Sequence, residues 1–195
     1  MAPAVPAQKS ARYWVVPVVR AVVALIAAAV ITFTRDAHTP TFGLIVFGAF
    51  AIVEGVAVAV LSLLTVAEGL TRTLFVVQGA IGVLAGVLAL ALSGSGLGLY
   101  LFVVSVWAAL TGFLELYSGF RSRTKDAAAR DWLVTGALTA ILALIFLLIP
   151  SDAILAIGLF GAWAVVVGVF QAIGGVTLRG SARATKAEHN LGSGS

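Results

Sequence analysis

Residues 132–149 read WLVTGALTAILALIFLLI, a run of eighteen residues without one charged side chain. An α-helix rises about 1.5 Å per residue, so a run of this length approaches the roughly 30 Å of bilayer hydrocarbon. A strand of a membrane barrel would alternate polar and apolar residues, and this run does not. The stretch therefore predicts a transmembrane α-helix.

Five further apolar runs predict five more spans. They cover residues 13–34, 41–65, 73–92, 97–119 and 152–178. The chain of 195 residues is 61% hydrophobic and 10% charged, whereas a soluble domain has about 25% charged residues. Water cannot be the main solvent of such a chain. The sequence predicts an all-α membrane protein with six transmembrane helices and the lipid bilayer as its partner.

The Lys and Arg residues fall almost entirely on one side of these spans. That side holds ten of the twelve, namely Lys9, Arg12, Arg72, Arg121, Arg123, Lys125, Arg130, Arg179, Arg183 and Lys186. Arg35 lies alone on the other side, and Arg20 lies within the first span. Because cytoplasmic loops retain basic residues, we expect both termini in the cytoplasm. No basic patch is interleaved with aromatics, so nucleic acid is not an expected partner.

The two ends of the chain differ in composition from the spans. Residues 1–12 are predicted to be a disordered cytoplasmic segment, and residues 180–195 a flexible cytoplasmic tail. The final LGSGS is typical of a flexible linker or cloning scar. A signal-peptide core over residues 21–33 is an alternative to the first span, but this segment matches two later spans. The absence of Cys excludes disulfides and thiolate catalysis.

The six spans are arranged as three similar helical hairpins, at residues 13–68, 72–121 and 130–179. Such internal similarity indicates a repeat architecture. Alignment places Val19, Gln78 and Thr135 of the first helices in register. Glu54, Glu115 and Gln171 then fall at matching positions of the second helices.

Small residues recur within the repeats at helical spacing. They are Gly82 and Gly86 in the third span, and Ala164, Gly168 and Ala172 in the sixth. Patterns of this kind let membrane helices pack closely by van der Waals contact. We therefore expect close helix packing at these positions.

The third hairpin has a pattern of Gly, Pro, Trp and polar residues, made up of Arg130, Trp132, Gly136, Pro150, Gly161, Trp163, Gly168, Gln171 and Arg179. In these residues it resembles the HdeD-like acid-resistance membrane proteins of bacteria. The second hairpin keeps Arg72, Gly79, Trp107, Gly112 and Arg121 but lacks the proline. The first is the most divergent, with Arg20 where Gly79 and Gly136 stand. In all, the resemblance covers about residues 12 to 180.

The resemblance implies six spans, a location in the bacterial inner membrane and a link to acid or other stress. It supplies no reaction and no cofactor. The family is one of short hairpin repeats whose function is largely unknown. No family active site can therefore be carried over to this chain residue by residue.

Polar residues inside the predicted spans form the candidate site: Arg20, Glu54, Glu115, Gln78 and Gln171. An ionisable group in hydrocarbon costs about 3 kcal/mol on insertion scales, so such groups usually face a partner or a cavity. The rise per residue places Arg20, Glu54 and Glu115 in one layer of the cytoplasmic half. We therefore expect these side chains to meet.

Three interpretations of this layer remain open. Arg20 and Glu54 form a structural ion pair that neutralises both residues and sets the helix register. Alternatively, Glu115 is a second carboxylate facing the same Arg, and it binds a proton. In the third interpretation, Arg20 or Glu115 snorkels to the interface. Outside the layer, His38 in a loop is an acid-sensing candidate, although a lone loop His is usually just solvated.

The sequence contains no motif of catalysis, metal binding or nucleotide binding in a suitable context, so no catalytic residue, metal or cofactor is predicted. The four Trp residues include helix-end residues suited to the membrane interface. We expect a non-enzymatic stress protein that stabilises the bilayer or a partner complex. The alternative is a small transporter or channel that uses the Arg/Glu layer for protons or a small solute. A lipid-acting enzyme is less favoured, and a homo-oligomer or membrane-protein partner is left open.

Overall fold

A computed structural model describes residues 13–66, 69–124 and 128–192, with side chains as far as residue 180. Six α-helices succeed one another: α1 (Val15–Phe33), α2 (Pro40–Thr65), α3 (Gly69–Ala91), α4 (Leu97–Ser122), α5 (Ala129–Leu148) and α6 (Ala153–Gly192). These ranges contain no strand. Each helix is long and apolar enough to cross a membrane. The chain is therefore an all-α, multi-pass membrane protein, as predicted.

Most helix ends lie within a few residues of the predicted ones. α3 begins at Gly69 instead of residue 73, and α4 ends at Ser122 instead of residue 119. The largest difference concerns α6, which stays helical to Gly192 although the sequence predicts an end at residue 178 and then a flexible tail. Ala, Arg, Lys and Glu in this stretch favour a helix. Residues 1–12 and the last three residues of LGSGS lie outside the described part of the chain.

Short polar residues and a glycine set several of the helix starts. The side-chain oxygen of Thr39 accepts a hydrogen bond of 3.2 Å from the backbone nitrogen of Phe42, and a proline stands at the first position of α2. Oδ1 of Asp152 accepts one of 2.8 Å from the backbone nitrogen of Leu155 in α6. Gly96 precedes α4 with a φ of 85°, a conformation that favours glycine. The side chains of Thr39 and Asp152 thus satisfy backbone donors that the helices themselves leave unpaired.

The six helices form a ring in chain order, which α1 and α6 close. The most extensive packing is between α2 and α3, between α4 and α5, and between α1 and α6. The two helices of each predicted hairpin also touch, but over a smaller surface. In addition, α2 contacts α4 and α6 across the middle of the ring. Each predicted hairpin is thus held mainly by its neighbours.

Glycines let the most closely packed helices meet backbone to backbone. A Cβ atom on Gly55 of α2 would lie 2.5 Å from the carbonyl oxygen of Gly79 in α3. A Cβ atom on Gly112 of α4 would lie 2.8 Å from the backbone nitrogen of Ala140 in α5. Gly82, one of the small residues expected to allow close packing, likewise lies against the backbone of α2. In lipid, contact of this kind is a main source of helix association.

Arginines mark one end of the ring, which we call the basic end. Arg72, Arg121, Arg123, Arg130 and Arg179 flank the helices there. The guanidinium carbon of Arg179 lies 4.7 Å from the ring centre of Trp14, so the start of α1 and this part of α6 share the same end. The connections at 34–39, 92–96 and 149–152 lie at the opposite end.

Two apolar clusters occupy the interior of the ring. The larger one includes seven buried aromatic side chains toward the opposite end. Five of them pack together and form what we call the aromatic layer: Phe47, Phe50, Trp107, Phe160 and Trp163. Most of these rings meet edge to face, with centroids 5.4 to 5.9 Å apart. The smaller cluster includes Val58, Phe75 and Trp132 toward the basic end. Polar side chains lie between the two.

Candidate functional site

Each of the six helices contributes one buried polar side chain to the level between the apolar clusters. In chain order these are Arg20, Glu54, Gln78, Glu115, Thr135 and Gln171, and none is more than 8% exposed. Hydrogen bonds and ion pairs join four of them, Arg20, Glu54, Gln78 and Glu115, which we call the Arg20 cluster. The ring therefore brings together residues that lie up to 151 positions apart in the chain, since Arg20 and Gln171 line one cavity.

Arg20 bridges the two acidic residues of the cluster. Its Nη2 atom lies 2.8 Å from Oε1 of Glu54 and 2.6 Å from Oε1 of Glu115. Its Nε atom donates a second hydrogen bond, of 2.9 Å, to the same oxygen of Glu54. The predicted contact between Arg20 and Glu54 is thus formed, and Glu115 faces the same guanidinium. Both Arg20 and Glu115 point into the ring, which is not the direction that snorkelling to the interface would require.

Gln78 adds a further donor to one oxygen of Glu115. Nε2 of Gln78 donates a hydrogen bond of 2.8 Å to Oε1 of Glu115, the same atom that Arg20 contacts. The other carboxylate oxygen, Oε2 of Glu115, is buried and has no hydrogen-bond partner among the described residues, and neither has Oε1 of Gln78. Buried polar atoms nearly always pair with protein or water. A water molecule can serve as the donor to either acceptor, and a bound proton can serve only the carboxylate oxygen of Glu115.

A small cavity, the central cavity, is bounded by the whole Arg20 cluster. Its other polar and aromatic lining comes from Trp107, Thr111, Thr139 and Trp163. It offers about 10 Å³ to the centre of a water molecule, which is close to the room that one water needs. The hydroxyls of Thr111 and Thr139 donate to backbone carbonyls of their own helices, so their lone pairs remain available as acceptors. The indole nitrogen of Trp163 is a buried donor without a partner among the described residues. A single water has both acceptors and donors to bind here.

A second cavity, the basic-end cavity, lies on the other side of Arg20. It is lined by Tyr13, Val16, Pro17, Arg20, Asp131, Trp132, Thr135 and Gln171, and offers about 20 Å³ to the centre of a water. Oε1 of Gln171 is buried and has no partner within the described chain. Because Arg20 lines both cavities, its guanidinium separates them. Gln171 and Thr135 therefore face the cluster across this cavity and do not bond to it directly.

The charges of the Arg20 cluster do not balance when both carboxylates are ionised. Two negative groups, Glu54 and Glu115, then face one positive group, Arg20, which leaves one unit of negative charge. A net charge away from water is costly. One bound proton makes the cluster neutral. Among the residues that the structure describes, no three His, Asp or Glu side chains meet as metal ligands would.

The contact between α1 and α6 corrects the register that the sequence suggested for Arg20. The sequence places Arg20 where Gly136 stands. In the structure, a Cβ atom on Gly168 of α6 would face the carbonyl oxygen of Ala21 at 3.3 Å, as one on Gly112 of α4 would face that of Gly136 at 3.0 Å. Ala21 therefore occupies the position of Gly136. Arg20, one residue earlier, is level with the inward polar residues of α3 and α5.

Three of the four tryptophans lie inside the ring and not at the membrane interface. Trp107, Trp132 and Trp163 are all at most 9% exposed. Trp14 lies at a helix end, where Arg179 covers its ring. The edge-to-face contacts of the aromatic layer account for this difference, because they bury indoles on neighbouring helices against one another.

His38 has specific neighbours in its loop at the opposite end. Its Nε2 atom lies 2.9 Å from the carbonyl oxygen of Ile31, and its ring stacks on Phe42 with centroids 5.7 Å apart. It lies far along the chain and the helix axis from the Arg20 cluster. The interpretation of His38 as an acid sensor remains a prediction.

Sequence reasoning did not single out Asp131. This residue lies in the first turn of α5 and lines the basic-end cavity, half buried, with its Oδ2 2.9 Å from where a Cβ atom on Gly174 would stand. The sequence offered one indication of its importance: Asp131 stands at the start of a span, in a chain that has only eight acidic residues. The sequence did not reveal that its helix turns this side chain toward the ring.

The comparison with protein families gives one match. The family model described as a short repeat of unknown function (DUF308) matches residues 77–148, which correspond to most of α3, all of α4 and α5 and the connections between them. No curated protein and no solved structure matches the chain. The matched segment contains Gln78, Glu115 and Thr135 of the polar level. The remaining polar residues come from α1, α2 and α6, which lie outside it.

Proposed function

We propose that this chain is a non-enzymatic protein of the bacterial inner membrane that resembles the HdeD-like acid-resistance proteins, and that it binds a proton at the Arg20 cluster under acid stress. The single observation that carries the proposal is the free Oε2 of Glu115 beside a water-sized cavity, in a cluster with two carboxylates and one guanidinium. The match of residues 77–148 to a short repeat of unknown function supports the family part of the proposal.

The proposed topology places the basic end in the cytoplasm. The arginines that flank the helices at this end are numerous, and the opposite end has Arg35 alone in its described connections. Short loops rich in Lys and Arg remain on the cytoplasmic side during insertion. In this orientation three hairpins, each with an inward polar pair, cross the membrane from the cytoplasmic side.

Proton binding would couple acidity to the packing of the ring. Arg20 on α1 holds α2 through Glu54 and α4 through Glu115, while Gln78 on α3 holds the same oxygen of Glu115. A proton on Glu115 removes the excess negative charge and supplies a donor where the carboxylate offered only acceptors. The four helices at this level are then held by a neutral hydrogen-bonded cluster. The packing of the ring then differs between neutral and acidic pH, and this response to acid is what the proposed function requires.

A second candidate function is a small transporter of protons. The two water-sized cavities on either side of Arg20 favour it. The aromatic layer argues against an open channel, because Phe50, Trp107 and Trp163 pack against one another on the opposite side of the cluster. Transport would therefore need a second conformation in which these rings separate.

The non-enzymatic part of the proposal rests on the partners of the buried polar groups. Glu54 and Glu115 are engaged by Arg20, and the described His38 lies in a loop at the opposite end of the ring. Thr111 and Thr139 donate their hydroxyl hydrogens to their own helices. No described nucleophile faces a base across a space that would admit a lipid headgroup.

The test is survival at low pH of a deletion strain that carries the wild-type chain or Glu115→Gln. We expect the wild type to restore survival and Glu115→Gln, which is neutral at every pH, to restore it poorly although it reaches the membrane in equal amount. Equal survival with both chains would overturn the role of Glu115. Proton flux into liposomes separates the two candidates: flux that depends on Glu115 would establish the transporter, and no flux above empty liposomes would leave the stress protein.

A further inference from the structure

We propose that protons reach the Arg20 cluster from the basic end only, through the basic-end cavity, with Asp131 as the group that takes them up. This inference rests on the proposed proton binding at Glu115 and adds the route and its direction. The route is new in that it uses α5 and α6, neither of which contributes a member of the cluster.

Asp131 is the acidic side chain that links this cavity to the surface. It is half buried at the start of α5, beside the exposed Arg130. The same cavity is lined by Arg20 of α1, Thr135 of α5 and Gln171 of α6. Its size allows about one water molecule. Asp131 therefore touches both the outside of the ring and the space that ends at Arg20.

Gln171 provides an independent sign that this cavity binds water. Its Oε1 atom is buried, the residue is 5% exposed, and the atom has no hydrogen-bond partner among the described residues. A water molecule between Asp131 and Arg20 would supply the missing donor. Such a water would also be held at a fixed place, as proton transfer between fixed groups requires.

Packed side chains block two other directions of approach. Toward the opposite end, the aromatic layer covers the central cavity, with Phe50 against both Trp107 and Trp163. At the centre of the basic end, Trp132 packs on Phe75 with ring centroids 5.0 Å apart and donates a hydrogen bond to the hydroxyl of Tyr13. The basic-end cavity lies beside these packed rings, between α1, α5 and α6, and Asp131 lines it.

The charged groups around the route are consistent with protons that arrive from the basic end only. The titratable groups that line the route are Tyr13, Arg20 of α1, Glu54 of α2, Glu115 of α4 and Asp131 of α5, whose chain neighbour Arg130 is exposed. α3 and α6 contribute the neutral amides Gln78 and Gln171. Arg20 stays charged, because a guanidinium is not deprotonated in proteins, so the proton must pass beside it.

The proposed transfer balances without any other reactant. A proton adds to a carboxylate oxygen of Asp131, passes to a water in the basic-end cavity, then beside Arg20 to a water in the central cavity, and ends on Oε2 of Glu115. Asp131 returns to its carboxylate form, and the Arg20 cluster changes from one excess negative charge to neutral. Asp131 thus affects how fast the cluster gains a proton, whereas the affinity for the proton belongs to the cluster itself.

The experiment is a rapid pH jump on purified protein with tryptophan fluorescence as the readout. Trp107 and Trp163 line the central cavity together with Glu54 and Glu115, so their emission should report the protonation of the cluster. We expect Asp131→Asn to slow the fluorescence change at least roughly a hundredfold, the lower end of what a positioned proton-transfer group contributes. The pH at its midpoint should stay nearly the same. Asp36→Asn, at the exposed opposite end, is the matched control and should retain the wild-type rate.

Each outcome decides between this route and the function on which it rests. A wild-type transition with an unchanged rate in Asp131→Asn would overturn the route and leave proton binding intact. A wild-type protein without any pH-dependent transition would remove both. Asp131→Glu serves as the rescue variant, because a longer carboxylate at the same place should recover most of the rate if proton uptake is its role. If Asp131→Glu is as slow as Asp131→Asn, the role of this carboxylate is structural and the route is wrong.

Discussion

Nη2 of Arg20 lies 2.6 Å from Oε1 of Glu115, while Oε2 of the same carboxylate has no partner among the described residues. The guanidinium is therefore shared between two acids and satisfies only part of one of them. Oε1 of Glu54 receives both of its donors from Arg20, whereas Oε1 of Glu115 receives one from Arg20 and one from Gln78. This difference suggests that the two carboxylates respond differently to substitution.

Glu115→Gln should fold and lose the response to pH. The amide keeps the volume of the side chain, removes the excess negative charge and leaves Arg20 paired with Glu54. We expect thermal unfolding in detergent at neutral pH within about 1 kcal/mol of the wild type, since the change removes a buried charge as well as a partner. The wild-type stability should vary between pH 7 and pH 4 more than that of the variant. Parallel curves would contradict the assignment of proton binding to Glu115.

Arg20→Met should be far more damaging than Glu115→Gln. It leaves Glu54 and Glu115 buried without a cation, and breaking a buried ion pair from one side costs about 3 to 5 kcal/mol. The double variant Arg20→Met with Glu54→Gln should recover part of that loss, because only one carboxylate then remains. Unfolding free energies of the single and double variants give the coupling. A loss for Arg20→Met below about 1 kcal/mol would show that the ion pairs do not hold the ring.

Gly55→Ala should separate α2 from α3. The added methyl would lie 2.5 Å from the carbonyl oxygen of Gly79, so the backbones must move apart. Strain of this kind typically costs about 1 to 3 kcal/mol. Gly158→Ala is the matched control, because nothing lies within 4 Å of its Cβ position. The control should be as stable as the wild type or more so, since alanine favours a helix. Equal melting temperatures for both variants would refute the close-packing argument.

Phe50→Ala should open the aromatic layer. Phe50 contacts Trp107, Phe160 and Trp163, and its removal leaves a gap next to the central cavity. We expect a loss of about 3 to 5 kcal/mol of stability and a proton leak in liposomes that the wild type does not show. Phe113→Ala, at a side chain 64% exposed on the outside of the ring, is the control and should leave both unchanged. If liposomes that contain Phe50→Ala show no proton leak, then other side chains form the barrier to protons.

Thiol labelling tests the proposed orientation directly, because the chain has no native Cys. Thr124→Cys follows α4 at the basic end, and Ser95→Cys lies in the turn before α4 at the opposite end; both positions are exposed. A membrane-impermeant reagent added to intact cells should label Ser95→Cys only. Thr124→Cys should become reactive after permeabilisation. The reverse pattern would place the basic end outside.

Much of the architecture could be predicted because bilayer thickness limits what an apolar segment can be. Runs of about twenty residues without charge have one stable form in lipid, so the six helices were correctly predicted. The starts of α2 and α4 follow from the local conformation at the residues that precede them, Thr39 and Gly96. The end of α6 was predicted too early. Beyond residue 178 the sequence is no longer apolar, but its residues still favour a helix.

The composition of the polar level was also available from the sequence, since charges and amides inside apolar runs are conspicuous. Arg20, Glu54, Glu115, Gln78 and Gln171 were all singled out in this way. What could not be predicted is that Gln78 bonds Glu115 while Gln171 faces a separate cavity. Asp131 was missed for a related reason: a charge at the end of a span is ordinary until the neighbouring helices show where it points.

The sequence by itself thus determined that the chain crosses a membrane as six helices and that a few polar residues lie inside it, because lipid excludes almost every alternative. Only the tertiary structure decided which of those residues meet. The ring is closed by α1 against α6, and its closest packing joins neighbouring hairpins, so contacts between distant positions depend on helix rotation and register. A shift of one residue, such as that between Arg20 and Ala21, changes which side chain points inward. The hydropathy of the sequence carries no information about how each helix is rotated about its axis.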